Sequence, residues 1–199
     1  MRAIYITGES PYEISGCQML LQQAGLSALP YARELINEDA ILIVALSAAP
    51  LAGWGEHVKM LFQLKKQTSS RIIAIVPEEI VDYCGLRQVC HPVCGTNGLN
   101  KVRFDLLNAI QEAAHIDAKP LCHKSYIKLT ICQKQALEYI SDSLRDSRDC
   151  KEYMYPGSHV DFWHRGQLLK KLGFKNFHHL AVVGSGVLLP LIEENNILH

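Results

Sequence analysis

The chain of 199 residues carries no excess charge of either sign and no apolar run long enough to cross a membrane. Its 20 Lys and Arg residues balance its 20 Asp and Glu residues, which excludes the uniformly basic surface of a histone-like protein. The longest apolar stretch, 182–192, is interrupted by Gly184, Gly186 and Pro190 and falls short of the roughly 18 residues that a bilayer requires. The first residues also lack the apolar core and cleavage site of a secretory signal. We therefore expect a cytoplasmic protein with no membrane partner.

The seven cysteines are an odd number, and without an export signal they predict reduced thiols rather than a disulfide framework. Cys84, Cys90, His91 and Cys94 form a cluster with the residue types of a zinc site. Structural zinc sites usually bring together two closely spaced cysteine pairs, and only Cys90 and Cys94 approximate one. We predict free thiols at a sheet edge, with no metal and no cofactor, and zinc binding is the alternative.

The first 115 residues alternate buried strands with amphipathic helices. Apolar and β-branched runs predict strands at 2–7, 40–46 and 71–76, with a weaker edge strand at 88–94. Ser10, Pro11 and Glu13 form a capping box with a first-turn proline, so a helix should follow and end at Gly25. Apolar spacing predicts further helices over 54–65 and 99–113. This alternation is typical of a doubly wound α/β domain.

The carboxyl ends of the strands, where such sheets place their chemistry, carry no recognisable catalytic group. Neither a Walker pattern nor a G-x-G-x-x-G loop follows any strand, which argues against a nucleotide site. Glu9 is the one acid after the first strand, and Leu46-Ser47, Val76-Pro77 and Pro92 to Cys94 follow the others.

The order and lengths of these elements resemble the flavodoxin-like receiver domain of response regulators. At the positions just named, working receivers carry paired acids, a phospho-accepting Asp, a Thr or Ser, and a Lys. The resemblance therefore implies a pseudo-receiver over 1–115 that has lost phosphoryl transfer and Mg²⁺ binding, without catalytic or phosphorylated residues.

Residues 116–128 contain Pro120 and no sustained period, which predicts a linker. Thr130 and Gln133 then form a second capping box ahead of apolar residues at helical spacing. The rest of the chain predicts short helices, one of them running from the N-cap Ser158 to Leu172. We expect a small all-α domain over 129–199.

The later helices are bounded by strong signals. Gly173 should close the helix that begins after Ser158, and a further short helix should start near Asn176. Val183 to Gly186 predicts a helix break rather than a phosphate loop, because no βα unit follows it.

The second half resembles the DNA-binding domain of LuxR/NarL-type regulators. The residues that carry the resemblance are Leu129-Thr130, Gln133, Leu137, His164-Arg165, Leu168 to Phe174, Asn176 and Leu180 to Val182. A receiver-like half followed by a helix-turn-helix is the layout of that family, so the resemblance covers nearly the whole chain. It implies a flavodoxin-like pseudo-receiver followed by a small LuxR-type helix-turn-helix domain.

The faces of the recognition helix follow from its 100° turn per residue. Leu168, Leu169 and Leu172 share the side that should face the core, and Trp163, Gly166, Gln167 and Lys170 fall on the side that would enter a major groove. With the resemblance, this implies DNA contacts from Ser158, Trp163, His164, Arg165, Gln167, Lys170, Lys171 and Lys175. The alternative for Trp163 is a core position, which a modest rotation of the helix would allow.

Two further features have competing interpretations. We expect His178 and His179 to be solvated or to face phosphates rather than to bind metal. The apolar tail Val187 to Ile192 is either core packing or a docking surface.

The resemblance implies a bacterial transcription regulator that binds promoter DNA independently of phosphorylation, as a homodimer or as a heterodimer with another response regulator. It further implies control of surface-structure (fimbrial or capsule) or virulence genes. The alternative is a protein-interaction module that captures another regulator with little DNA affinity of its own. An enzyme is disfavoured because no nucleophile and base or metal constellation follows the strands.

The zero net charge is an average over two unlike halves. Residues 1–120 hold ten Lys and Arg and twelve Asp and Glu, whereas residues 121–199 hold ten and eight. A net charge of +2 is small for a helix-turn-helix domain. We therefore expect DNA binding that is weak, local to 163–175, or helped by a partner.

Overall fold

The computed structural model describes residues 2–32, 40–115, 129–145, 159–188 and 191. Five parallel strands form one sheet: β1 (Ile4–Gly8), β2 (Ala28–Pro30), β3 (Ile41–Ala45), β4 (Arg71–Val76) and β5 (His91–Cys94). Their order is β2-β1-β3-β4-β5, which is the order of flavodoxin-like sheets. The predicted α/β class with a parallel sheet is confirmed.

The helices within residues 2–115 are α1 (Pro11–Gln22), α2 (Gly55–Gln67), α3 (Glu78–Val81), α4 (Leu86–Val89) and α5 (Leu99–His115). Every residue of β3 is buried, as the continuous apolar run predicts for a central strand that is covered on both faces. Leu21 of α1 and Leu106 of α5 belong to one buried cluster with Ile6, Ile43 and Ile75 of the sheet.

Of the two hydrogen bonds in the capping box predicted at Ser10 and Glu13, the structure contains one. The Glu13 backbone N–H donates to Ser10 Oγ at 3.4 Å, Pro11 opens the helix, and Gly25 lies in the left-handed region with φ 74°. The Glu13 side chain does not turn back to the Ser10 backbone. It accepts hydrogen bonds from Ser47 instead, so its role is tertiary rather than local.

Three short elements differ from the prediction, and one of them is the unpredicted helical turn α3. The expected strand at 88–94 begins only at His91, because Leu86–Val89 forms one helical turn that buries Leu86 and Val89 on the same side. Strand β2 was not predicted. It has three residues and ends in a proline, so it lacks both the length and the alternation that identify a strand.

The chain divides into two compact units. Unit 1 comprises Met1–Pro50, Met60–Val81 and Leu86–Lys124, and unit 2 comprises Leu51–Lys59, Asp82–Gly85 and Ser125–His199. The linear boundaries 1–115, 116–128 and 129–199 stay a prediction, and the linker 116–128 lies outside the described residues.

Unit 2 contains α6 (Ile131–Arg145), α7 (His159–Leu172), α8 (Phe177–Val183) and a 3-10 helix, Ser185–Leu188. Helices α6 and α7 pack against each other. Within the described ranges, no helix has the length and apolar character needed to cross a membrane.

Candidate nucleic-acid interface

Helix α7 is anchored in unit 2 by one apolar side. Leu168 and Leu172 are fully buried and Leu169 nearly so, as the 100° spacing predicts. The helix ends at Gly173, where φ is 90° and the Phe174 N–H donates to the Leu169 carbonyl at 2.9 Å. This is the glycine-terminated arrangement expected from the sequence, so both the core face and the end of the helix are confirmed.

The opposite side of α7 faces solvent. Trp163 is 55% exposed, which decides between the two interpretations of this residue in favour of the outer face. Gln167 and Lys170, one and two turns further along, are exposed as well. Gly166 lies on the same face, and a Cβ built on it would meet no described residue within 4 Å. We call Trp163, Gly166, Gln167 and Lys170 the outer face of α7.

Two further lysines lie near the end of the helix, Lys171 in its last turn and Lys175 just beyond it. Lys171 and Lys175 are both exposed, and Lys171 Nζ lies 3.5 Å from Gln133 Oε1 of α6. Lys170 and Lys171 occupy the last turn, where positive charge also interacts favourably with the carboxyl end of the helix. Three cations therefore lie within one turn of the helix end.

Arg165 does not belong to the outer face. Its guanidinium lies 4.1 Å from the centre of the Tyr139 ring of α6, because residue 165 is about half a turn of the helix from Trp163. His164 lies on the flank, and its ring contacts the Trp163 ring edge to face with centroids 5.0 Å apart. Ser158 lies outside the described residues.

The neighbouring helices begin as predicted. In α6 the Gln133 N–H donates to Thr130 Oγ1 at 3.2 Å and the Thr130 N–H donates to Gln133 Oε1 at 3.1 Å, which is a complete capping box. In α8 the His179 N–H donates to the N-cap Asn176 at 2.8 Å.

The expectation of two solvated histidines is wrong for one of them. His178 is exposed, but His179 is buried and its Nδ1 accepts from the Lys175 N–H at 3.4 Å. Its ring also contacts the ring of Phe174. This histidine therefore supports the turn that carries Lys175.

The apolar tail is core packing where it is described. Val187, Leu188 and Leu191 are fully buried. Gly184 ends α8 with φ 96°, and a Cβ on Gly186 would lie 2.5 Å from the Gly55 carbonyl oxygen. The helix break predicted at 183–186 is confirmed, and its second glycine is required by a close backbone approach.

Two short segments of unit 2, Leu51–Lys59 and Asp82–Gly85, could not be assigned to it from the sequence. Trp54 and Tyr83 belong to these segments and are fully buried, although both lie between strands of the sheet in the sequence. The Tyr83 hydroxyl donates to the Val187 carbonyl, its ring contacts Phe174, and the Cys84 N–H donates to the Leu172 carbonyl. The end of α7 is therefore held by residues whose sequence position gives no sign of this role.

In unit 1, the loop after β3 holds a carboxylate from α1. The Ser47 N–H and hydroxyl donate to Glu13 Oε1 at 2.9 and 2.6 Å, and the Ala48 N–H donates to Oε2 at 3.2 Å. A Cβ on Gly95, which follows β5, would overlap the Ser47 side chain. Ser47 is thus held by Glu13 and packed closely against Gly95 at the carboxyl end of β3.

The cysteines of the predicted cluster carry free thiols. Burial raises the pKa of Cys90 to about 12, and its Sγ donates to the Leu86 carbonyl. His91 Nδ1 lies 3.6 Å from a Glu112 carboxylate oxygen. Among the residues that the structure describes, no three His, Cys, Asp or Glu side chains come together as a metal site.

The geometry therefore concentrates exposed polar, aromatic and cationic side chains at α7 and the turn that follows it. Comparisons of the chain with protein-family models, with curated proteins and with solved structures gave no match.

Proposed function

We propose that the chain is a cytoplasmic bacterial transcription regulator that binds double-stranded DNA through α7. The observation that carries the proposal is the exposure of Trp163, Gln167 and Lys170 on one side of a helix whose other side is anchored by buried leucines. A helix with one exposed side of this kind can lie in the major groove. The resemblance to LuxR/NarL regulators supports the same assignment, with fimbrial, capsule or virulence genes as the candidate targets.

The charges near α7 support modest affinity. Lys170, Lys171 and Lys175 can each neutralise a phosphate. Three such contacts predict a slope of about −3 for log K against log salt concentration for each bound copy. Tight binding would require two copies, either a homodimer or a heterodimer with another regulator.

Regulation in this proposal does not use phosphorylation of the chain. Ser47 follows β3 where a working receiver has its acceptor Asp, and the Ser47 hydroxyl already donates to Glu13. Incubation with acetyl phosphate and Mg²⁺ should add no phosphoryl group, as intact mass measures it.

The first test is DNA binding by the full chain with Lys170→Ala and Lys171→Ala combined. Fluorescence anisotropy with fragments from the organism's own promoters should show binding at low salt for the wild type. The double variant should bind all duplexes more weakly, and its salt slope should be shallower by about 2.

The matched control is Lys65→Ala with Lys66→Ala, which removes the same charge from the last turn of α2. This control should keep the wild-type salt slope. Equal slopes for both double variants would show that α7 is not the DNA-binding helix.

The second candidate, capture of another regulator, has its own supporting observation. Tyr12 and Met19 lie seven residues apart on one face of α1 and are 90% and 61% exposed. Two large apolar side chains on one helix face are typical of a protein interface. If no promoter fragment binds at low salt while a second regulator co-purifies with the chain, this candidate replaces DNA binding.

A further inference from the structure

Gly166 lies in the middle of α7, and no contact among the described residues explains why this position is a glycine. Glycine in a helix interior is less stable than alanine, because its backbone loses more freedom on folding. In the part of the chain that the structure describes, no atom within 4 Å would meet a Cβ at this position. Gly173, by contrast, combines a φ of 90° with an approach to the Asp82 carbonyl that leaves no space for a Cβ. The space at Gly166 therefore lies on the solvent side of α7 and not on the side that packs against the core of unit 2.

The missing side chain leaves a notch in the outer face of α7. The large ring of Trp163 is one turn before Gly166, and Lys170 is one turn after it. Gln167 is the next residue along the same face, and it is exposed. Trp163, Gln167 and Lys170 thus share one helix face with a position where another molecule can approach the backbone.

The chemistry of these side chains favours one kind of base pair. A glutamine amide donates to N7 of adenine and accepts from its N6 amino group, which pairs both of its polar atoms. An apolar ring next to it suits the C5 methyl group of thymine, and the lysine suits a phosphate. Two side chains of α7 could pair with guanine: the guanidinium of Arg165 lies on Tyr139, and Lys170 belongs to the group of lysines at the helix end that we assign to phosphates.

We propose that the notch at Gly166 receives the major-groove edge of A·T base pairs, with Gln167 on adenine and Trp163 on a thymine methyl group. This inference rests on the proposed DNA binding and adds the class of sequence that α7 reads.

The first experiment fills the notch. Gly166→Ala and Gly166→Gln should fold, and each should raise the melting temperature by about 2 °C because both residues favour helix. Both should also weaken binding to a duplex that the wild type selects from a random pool, by about tenfold for Ala and more for Gln. A variant that is more stable than the wild type but binds DNA more weakly has lost affinity because the notch is filled. A damaged fold would lower the melting temperature as well.

The matched controls are Gly16→Ala and Gly16→Gln. Gly16 also lies inside a helix, α1, with nothing within 4 Å of its Cβ position. These variants should gain the same stability and keep the wild-type affinity for DNA. Equal losses at Gly16 and Gly166 would overturn the assignment of the notch.

The second experiment changes single atoms of the selected duplex. Deoxyuridine in place of thymidine removes the C5 methyl group, and 7-deazaadenine in place of adenine removes N7. One substitution of each kind should weaken wild-type binding by about fivefold or more. Trp163→Ala should lose the sensitivity to deoxyuridine, and Gln167→Ala should lose the sensitivity to 7-deazaadenine.

The outcomes separate this inference from the proposed function. If the wild type selects no duplex at low salt, the proposed function fails and the base reading fails with it. If it selects a duplex that is rich in G·C pairs, or one that tolerates both analogues, DNA binding stands and the A·T reading is wrong.

Discussion

At the scale of the residue, Glu13 links two parts of unit 1 that are far apart in the sequence. Its carboxylate accepts three hydrogen bonds from the loop after β3, two of them from Ser47. Hydrogen bonds to a charged group are stronger than neutral ones, and each backbone N–H left without an acceptor would have to find water. The residue therefore fixes this loop to α1.

We expect Glu13→Ala to lower the free energy of unfolding by about 2 kcal/mol, because the charged acceptor of three donors is lost. Urea denaturation followed by far-UV circular dichroism measures the change. Glu79→Ala, which removes an exposed carboxylate from α3, is the control and should stay within about 0.5 kcal/mol of the wild type. Equal stability of the two variants would show that the three hydrogen bonds have no net effect.

At the scale of the element, glycine signals were the most reliable guide in the sequence. Gly25, Gly173 and Gly184 all have positive φ at the ends of α1, α7 and α8, because only glycine adopts this conformation without strain. Strand β2 was missed because three residues show no periodicity. Helix α4 was missed because Val89 and Cys90 also suit an edge strand, and only tertiary burial decides between the two.

Gly186 was predicted only as part of a helix break, but its role is to let two backbones approach. We expect Gly186→Ala to destabilise unit 2 by about 1–3 kcal/mol, since its Cβ would overlap the Gly55 backbone. Tryptophan fluorescence in urea measures this, because both tryptophans, Trp54 and Trp163, belong to unit 2. Gly98→Ala, whose Cβ meets nothing within 4 Å, should leave the transition unchanged. An unchanged transition for Gly186→Ala would mean that the two segments separate easily.

At the scale of the whole molecule, the alternation of the longer strands and helices could be predicted from sequence, and the membership of unit 2 could not. Helical spacing identifies the outer face of α7 from local sequence alone. The exposure of Trp163, Gln167 and Lys170 could therefore be predicted. Trp54 and Tyr83 lie beside strands of the sheet in the sequence, so periodicity assigns them to the α/β part. Their segments join unit 2 through hydrogen bonds between residues more than 80 positions apart, which no local pattern records.

A fragment of residues 129–199 tests whether unit 2 can fold without the segments Leu51–Lys59 and Asp82–Gly85. The linear boundaries predict an autonomous domain, whereas unit 2 also contains the segments of Trp54 and Tyr83, and Tyr83 contacts Phe174 and Val187. Removal of two buried aromatic side chains costs about 3–5 kcal/mol each, which is comparable to the whole stability of a small domain. We therefore expect the fragment to show the narrow amide dispersion of an unfolded chain in NMR spectra and no DNA binding.

Two full-length variants control for the cut itself. Tyr83→Phe keeps the ring against Phe174 and removes only the hydroxyl that donates to Val187, so unit 2 should stay folded. Tyr83→Ala removes the ring and should unfold unit 2 while the sheet of unit 1 survives. A folded fragment that binds DNA would instead make 129–199 an independent domain, and the loops around Trp54 and Tyr83 would then be dispensable for recognition by α7.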